Sequence, residues 1–267
     1  MSTIKIQANQ IFINYELTGT GKYLTMLHGL GDNLNIWFGQ VPVLSKYYQV
    51  LTYDARGHGQ TDLPEGEINP DVLTEDLFSL LNALNISETF LLGHSMGARV
   101  AYQFTLAHQD MVKALILCDG VGGGPGKEEV LGTLGIAREE GVEGVVKERI
   151  DRTFSPGFAE NNRETVEQYK SVLRQMNVEG LVRFMQPMAQ PRAKAQDKKE
   201  TTPGEIRCPT MIFVGEYDHL SGPSAGEEAQ KKIHGSQLKV FPTGHAPALE
   251  KPAEFNRTVL DFLSKIS

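Results

Sequence analysis

The chain reads as an α/β protein built on a parallel sheet, and three features predict it. Strand-like and helix-like segments alternate from Ile4 to about Asp119, the pattern that βαβ crossovers leave in a sequence. Several strand candidates are short, unbroken apolar runs, as buried strands should be; residues 89–92 and 210–214 are two of them. Directly behind the first of these runs, and directly ahead of a helix-like stretch, lies Gly93-His94-Ser95-Met96-Gly97. Strand, sharp turn and helix therefore follow one another within a few residues.

In chain order, residues 4–7 and 11–17 alternate apolar and polar side chains and read as an antiparallel hairpin turning near Asn9-Gln10. Residues 23–27 form a buried strand that runs into His28-Gly29-Leu30-Gly31-Asp32, where two glycines permit a sharp turn. A strand over 48–52 leads into Asp54-Ala55-Arg56-Gly57-His58-Gly59. Helical spacing of Val72, Leu73, Leu77, Leu80, Leu81 and Leu84 predicts a helix over 70–85, and a second helix follows over 98–108. Residues 112–118 read as the next strand. The pattern changes after Gly120: residues 121–126 have the composition of a hinge, and from Lys127 to about Thr202 periodicity is helical with no strand. Strands return over 210–214 and 237–241, and a terminal helix over 249–266 carries Phe255, Val259, Leu260 and Phe262 on one face.

The chemistry concentrates at strand ends. Ser95 occupies the apex of the turn at 93–97, where side chains on its flanking glycines would strike neighbouring backbone. A serine hydroxyl is a weak nucleophile until a base takes its proton, and the base needs a carboxylate to orient it. Asp218 and His245 follow in loops just past the strands at 210–214 and 237–241, on the sheet edge that carries the serine. Ser95 is thus expected as nucleophile, His245 as general base and Asp218 as its orienting acid. The N–H groups of Leu30 and Met96 are the expected oxyanion donors.

These pieces together resemble the α/β-hydrolase fold superfamily. The matching motifs are His28-Gly29-Leu30-Gly31, Asp54-Ala55-Arg56-Gly57-His58-Gly59, Gly93-His94-Ser95-Met96-Gly97, the Asp218 loop and Gly244-His245, spread over residues 23–252. The resemblance implies a mostly parallel eight-stranded sheet with flanking helices and a helical lid insertion. Residues 1–121 and 203–267 would be the two parts of the core and 122–202 the lid. Within the lid, Phe154, Met176, Phe184 and Met188 are expected to face the serine, flexible methionine suiting irregular pockets. Asp119 competes for the acid role, because some members place their acid after the preceding strand; the Gly-Glu-x-Asp lead-in favours Asp218. Serine at position 95 argues against epoxide hydrolases and haloalkane dehalogenases, which carry aspartate at the elbow. The expected activity is cofactor-free hydrolysis of a carboxylic ester of a small, partly apolar substrate. The alternatives are an enol-lactone or carbon–carbon bond hydrolase of a ring-cleavage product, which would place an arginine such as Arg99, Arg152 or Arg183 in the pocket, and a slow-turnover ligand sensor.

Composition narrows the field further. With 267 residues, 40% of them hydrophobic, the chain can bury a large core, and a net charge of −7 without a basic stretch argues against a nucleic-acid partner. No signal-peptide pattern opens the sequence and no run of 18 apolar residues occurs, so a cytoplasmic protein with no membrane partner is expected. Cys118 ends one strand and Cys208 begins the next. If those strands are parallel neighbours, the thiols lie about 20 Å apart, too far for a disulfide. Neither cysteine has metal-ligand spacing, and no metal is expected.

Overall fold

The computed structural model describes residues 4–66, 68–190 and 206–266. Strand β1 (Ile4–Ala8) pairs antiparallel with β2 (Ile11–Thr18), with Ala8 opposite Ile11. Asn9 and Gln10 between them both have positive φ, +46° and +64°, as a tight two-residue hairpin turn requires. After β3 (Tyr23–Leu27) and a short helix α1 (Val41–Leu44) come β4 (Gln49–Tyr53), α2 (Pro70–Ala83), β5 (Thr89–His94), α3 (Met96–Ala107) and β6 (Val112–Cys118). Among the described residues, five helices intervene before the next strand: α4 (Lys127–Glu139), α5 (Gly141–Thr153), α6 (Phe158–Asn161), α7 (Arg163–Leu173) and α8 (Val178–Ala189). The chain then adds β7 (Thr210–Gly215), α9 (Pro223–Lys232), β8 (Gln237–Phe241), α10 (Pro247–Glu250) and α11 (Pro252–Leu263). The expected end of the insertion at residue 202 lies outside the described residues.

The eight strands lie in the order β1-β2-β4-β3-β5-β6-β7-β8, parallel from β4 onward. Strands β5 and β7 are buried at every residue, which is why their sequences are continuous apolar runs. Neighbouring residues feed opposite cores. Phe90 and Leu92 join one apolar cluster with Phe213, Phe255 and Val259, while Leu91 joins another with Leu80, Phe104 and Leu115. Strand order reverses between β4 and β5, on either side of β3, so the carboxyl ends of β3 and β5 border a crevice where sites form.

Helix limits show where local chemistry overrides periodicity. Helix α2 starts on Asn69, whose side chain accepts from Val72 N–H, and has Pro70 in its first turn. It stops at Ala83, short of the expected 85, because Asn85 enters the left-handed region at φ +56° and Ile86 N–H bonds back to Leu81 O. The predicted terminal helix is broken in two at Lys251 (φ −131°, ψ +53°), since the ring of Pro252 excludes helical backbone at the residue before it. Cys118 is buried, whereas Cys208 is only half-buried, and both are free thiols. Cys118 stands opposite Phe213, five residues beyond Cys208, or about 16 Å of strand. No helix among the described residues is long and apolar enough to cross a membrane.

Candidate active site

The turn between β5 and α3 forces Ser95 into φ +53°, ψ −115°, a conformation that costs a non-glycine residue about 1–3 kcal/mol. A Cβ on Gly93 would collide with the Gly97 carbonyl, and one on Gly97 with the Leu27 carbonyl. Glycine is required at both places by close backbone approach. Ser95 N–H donates to Cys118 O at 2.8 Å, anchoring the turn to β6.

Ser95 Oγ lies 3.0 Å from His245 Nε2, and His245 Nδ1 lies 2.8 Å from Asp218 Oδ2. A carboxylate only accepts, so Nδ1 carries the hydrogen and Nε2 is left to accept from the serine hydroxyl. Asp218 Oδ1 accepts from Leu220 N–H at 2.8 Å. His245 is gripped along its backbone as well: its N–H donates to Thr153 O at 2.7 Å, and its carbonyl accepts from His94 Nε2 at 2.7 Å. Burial disfavours the His245 imidazolium, but the hydrogen bond and charge of Asp218 outweigh it and raise the pKa above the ordinary histidine value. Burial likewise works against the Asp218 carboxylate, yet the His245 contact and backbone N–H groups hold its pKa below the usual range.

Asp119, the competing acid, is 1% exposed and is held by other partners. Its Oδ1 accepts from Gly215 N–H at 2.9 Å, and Cys118 Sγ lies 3.3 Å from its Oδ2. Burial, with the charge of Asp218, pushes its carboxyl up to about 8. Asp119, Asp218 and His245 bring ligand-type atoms within 4.8 Å of one another. Both His245 nitrogens are already engaged, by Asp218 and Ser95, which suits proton transfer better than cation binding.

Leu30 and Met96 flank the serine at the ends of the β3 loop and the α3 N-terminus, and their N–H groups take no partner among the described residues. Three motif histidines bond backbone: His28 Nε2 accepts from Ala55 N–H, His58 Nδ1 contacts Arg56 O, and His94 bonds as above.

A sequence model of the α/β-hydrolase fold matches residues 23–252. The chain belongs to that family. As an α/β hydrolase it is similar to 3-oxoadipate enol-lactonase 2 of Acinetobacter baylyi, at 25% identity over 95% of this chain and 94% of that protein. Its fold superposes on the crystal structure of the enol-lactonase from Burkholderia xenovorans LB400 with a TM-score of 0.89, at 26% identity over 98% of this chain and 100% of that one. A thermophilic esterase from Thermogutta terrifontis matches with a TM-score of 0.87, at 28% identity over 99% of both chains.

In this α/β hydrolase, Ser95 and His245 open on a cavity of about 360 Å³ whose walls include Leu30, Ile68, Phe184 and Met188. A smaller arm of about 100 Å³ shares Ser95 and His245 and is lined by Thr133, Glu148, Arg149 and Arg152. Phe184 and Met188 line the larger cavity together with Ser95. Phe154 and Met176 do not: neither lines the cavity or its arm. Phe154 stacks on Phe158 at 4.9 Å and meets Tyr169 edge-on at 5.8 Å. Met176 is buried over Gly31. Residue type favoured all four equally; Phe184 and Met188 lie on α8, whereas Phe154 follows α5 and Met176 lies in the connection between α7 and α8. Of the three arginines expected near a substrate carboxylate, Arg183 donates to Pro64 O and Gly66 O, while Arg152 pairs with Glu129 and Glu148. Arg99 borders the cavity and donates to Gly123 O. Half-buried Arg149, which reaches Leu30 O at 2.5 Å, was not foreseen; its only signal is a fourth-residue spacing from Val145, a buried position.

Proposed function

We propose that the chain is a serine hydrolase of carboxylic esters of small, partly apolar substrates, acting through an acyl-serine intermediate without a cofactor. The observation that carries the reading is the continuous chain Ser95 Oγ–His245–Asp218, at 3.0 and 2.8 Å, opening on a largely apolar cavity. Ser95 Oγ attacks the carbonyl carbon as its proton passes to His245 Nε2, and Asp218 stabilises the imidazolium. The carbonyl oxygen becomes an oxyanion facing Leu30 and Met96 N–H; losing one such donor lowers turnover by about 10²–10³-fold. His245 returns the proton to the leaving alcohol, and water then cleaves the acyl-serine by the same route. The helices of residues 122–202 act as the lid, supplying Phe184 and Met188 to the acyl pocket.

The test is hydrolysis of p-nitrophenyl esters of increasing acyl length, with Ser95→Ala as control. Turnover of short esters by the wild type, a loss of roughly 10⁶-fold in the variant, and one fluorophosphonate adduct on Ser95 are expected. Tight ligand binding with negligible turnover would overturn the reading in favour of a sensor.

A second reading is a carboxylate-bearing enol lactone, a cyclic ester open to the same attack. It is favoured by Arg149, which lines the arm beside Ser95 and makes no direct ion pair among the described residues. Both enol-lactonase similarities support it. A higher kcat/KM for an ester carrying a terminal carboxylate than for its neutral counterpart, lost in Arg149→Gln, is the expected sign.

A further inference from the structure

The loop after β3 is pressed between the nucleophile turn and the helical insertion. Asp32 N–H donates to Gly29 O at 3.2 Å and closes a turn whose third residue, Gly31, has φ +77°. Turns of this class need glycine there. On the nucleophile side, a Cβ on Gly29 would come 3.1 Å from His94 Nδ1 and 3.4 Å from Ser95 Cβ. On the insertion side, a Cβ on Gly31 would come 2.8 Å from Met176 Cε and 3.0 Å from Arg149 Nη2.

Among the described residues, three hydrogen bonds tie this loop to the insertion. Arg149 Nη2, from α5, donates to Leu30 O at 2.5 Å; Tyr169 OH, from α7, donates to Asp32 Oδ1 at 3.1 Å; and Asn33 Nδ2 donates to Val172 O at 3.0 Å. Tyr169, Asp32 and Asn33 are each 1% exposed, so their groups have no water to turn to when these bonds break. The peptide that Arg149 grips adjoins the Leu30 N–H across a single Cα. In a tight turn that central peptide has two orientations related by a flip, and each sets a different Leu30 backbone angle.

We propose that Arg149 is a positioning residue: by holding the Leu30–Gly31 peptide from α5, it makes the oxyanion donor of Leu30 dependent on a seated insertion. Tyr169 supports the same loop through Asp32, and Met176 packs against its glycine. The proposal rests on the reading of Ser95 as nucleophile and Leu30 N–H as donor. Its consequence is a hydrolase whose lid helps to assemble the catalytic centre as well as to select substrate.

The test uses a neutral ester, p-nitrophenyl acetate, which offers no carboxylate for Arg149 to bind. Arg149→Met should lower kcat about 10²-fold, the scale of an ångström-sized misplacement, with little change in KM. Fluorophosphonate labelling of Ser95 should slow in step, and phenylboronic acid, whose serine adduct places an oxygen among the oxyanion donors, should bind more weakly. Arg149→Lys, which keeps a donor on a long stem, should recover part of the loss. Tyr169→Phe deletes one hydroxyl and should cost about tenfold in kcat by the same loosening; it carries the test if Arg149→Met does not fold. Wild-type labelling and acetate turnover in these variants overturn the proposal, also where KM rises only for carboxylate-bearing esters, since that pattern belongs to substrate binding alone. In that event labelled wild-type Ser95 leaves the nucleophile assignment standing. An unlabelled wild type removes that assignment and the proposal together.

Discussion

Asp218 and Asp119 crowd the same imidazole, and their surroundings drive them to opposite charge states. Contact with His245 and backbone donors keeps Asp218 ionised, while burial beside that charge keeps Asp119 protonated up to about pH 8. Asp218→Asn should therefore lower kcat by about 10⁴-fold, because the amide stabilises the wrong tautomer. Asp119→Asn mimics the protonated acid and should change kcat little; the reverse order would move the acid to the end of β6. Two pH effects follow. His245 must be neutral to accept the serine proton, and its pKa is raised, so kcat/KM should climb with pH through a midpoint above 6.5. Asp119 is an acid raised from 3.8 to about 8 on folding, so its stabilising contribution is complete below 3.8 and disappears as pH rises through about 8. Melting scans should show Asp119→Asn gaining on the wild type across that window. A constant difference would mean that Asp119 titrates normally.

Among the elements, strand limits were legible, whereas some helix ends and the orientation of the insertion's side chains were not. Strands β3, β6 and β8 match their predicted limits, β3 and β6 because buried strands of a parallel sheet are mostly apolar runs, and β8, a partly exposed edge strand, because turn residues bound it. The hydrogen-bonded grouping of Ser95, His245 and Asp218 was legible because chain order and strand ends put the three on one edge without any need to know the packing. Helix ends failed where one residue decided the issue, Asn85 in one case and Pro252 in the other. The pocket face of the insertion failed because five helices can bury apolar side chains against the core, against one another or against substrate, and periodicity is the same in all three. That distinction is measurable. Phe184→Ala and Met188→Ala should shift acyl-length preference, by roughly 10–200-fold per contact at most. Met176→Ala should leave that preference alone and cost about 2–5 kcal/mol of stability. A chain-length change in Met176→Ala without destabilisation would put its side chain back in the pocket.

At the scale of the whole molecule, the insertion and the sheet share too many buried polar ties to behave as separate units. Thr153 O receives the His245 N–H, and Val172 O receives Asn33 Nδ2. Glu250 accepts from Gly244 N–H at 2.7 Å and from the backbone and hydroxyl of Ser155, so one carboxylate clamps the histidine loop to the segment after α5. One apolar cluster also runs from Leu24 and Phe213 in the sheet to Val145, Tyr169 and Leu181 in the insertion. Opening this boundary would strand buried donors and acceptors at about 1–3 kcal/mol each, besides exposing that apolar surface. The chain should consequently unfold in a single cooperative step, in the manner of one domain. Its one tryptophan, Trp37, is 1% exposed within the shared cluster, so its fluorescence reports on that boundary while far-ultraviolet circular dichroism reports on all helices. Guanidinium titrations by the two probes should coincide, and Glu250→Ala should move both midpoints down together while lowering kcat. Two separated transitions, with the tryptophan signal changing before ellipticity is lost, would show an insertion that opens on its own and would break the link between lid seating and catalysis.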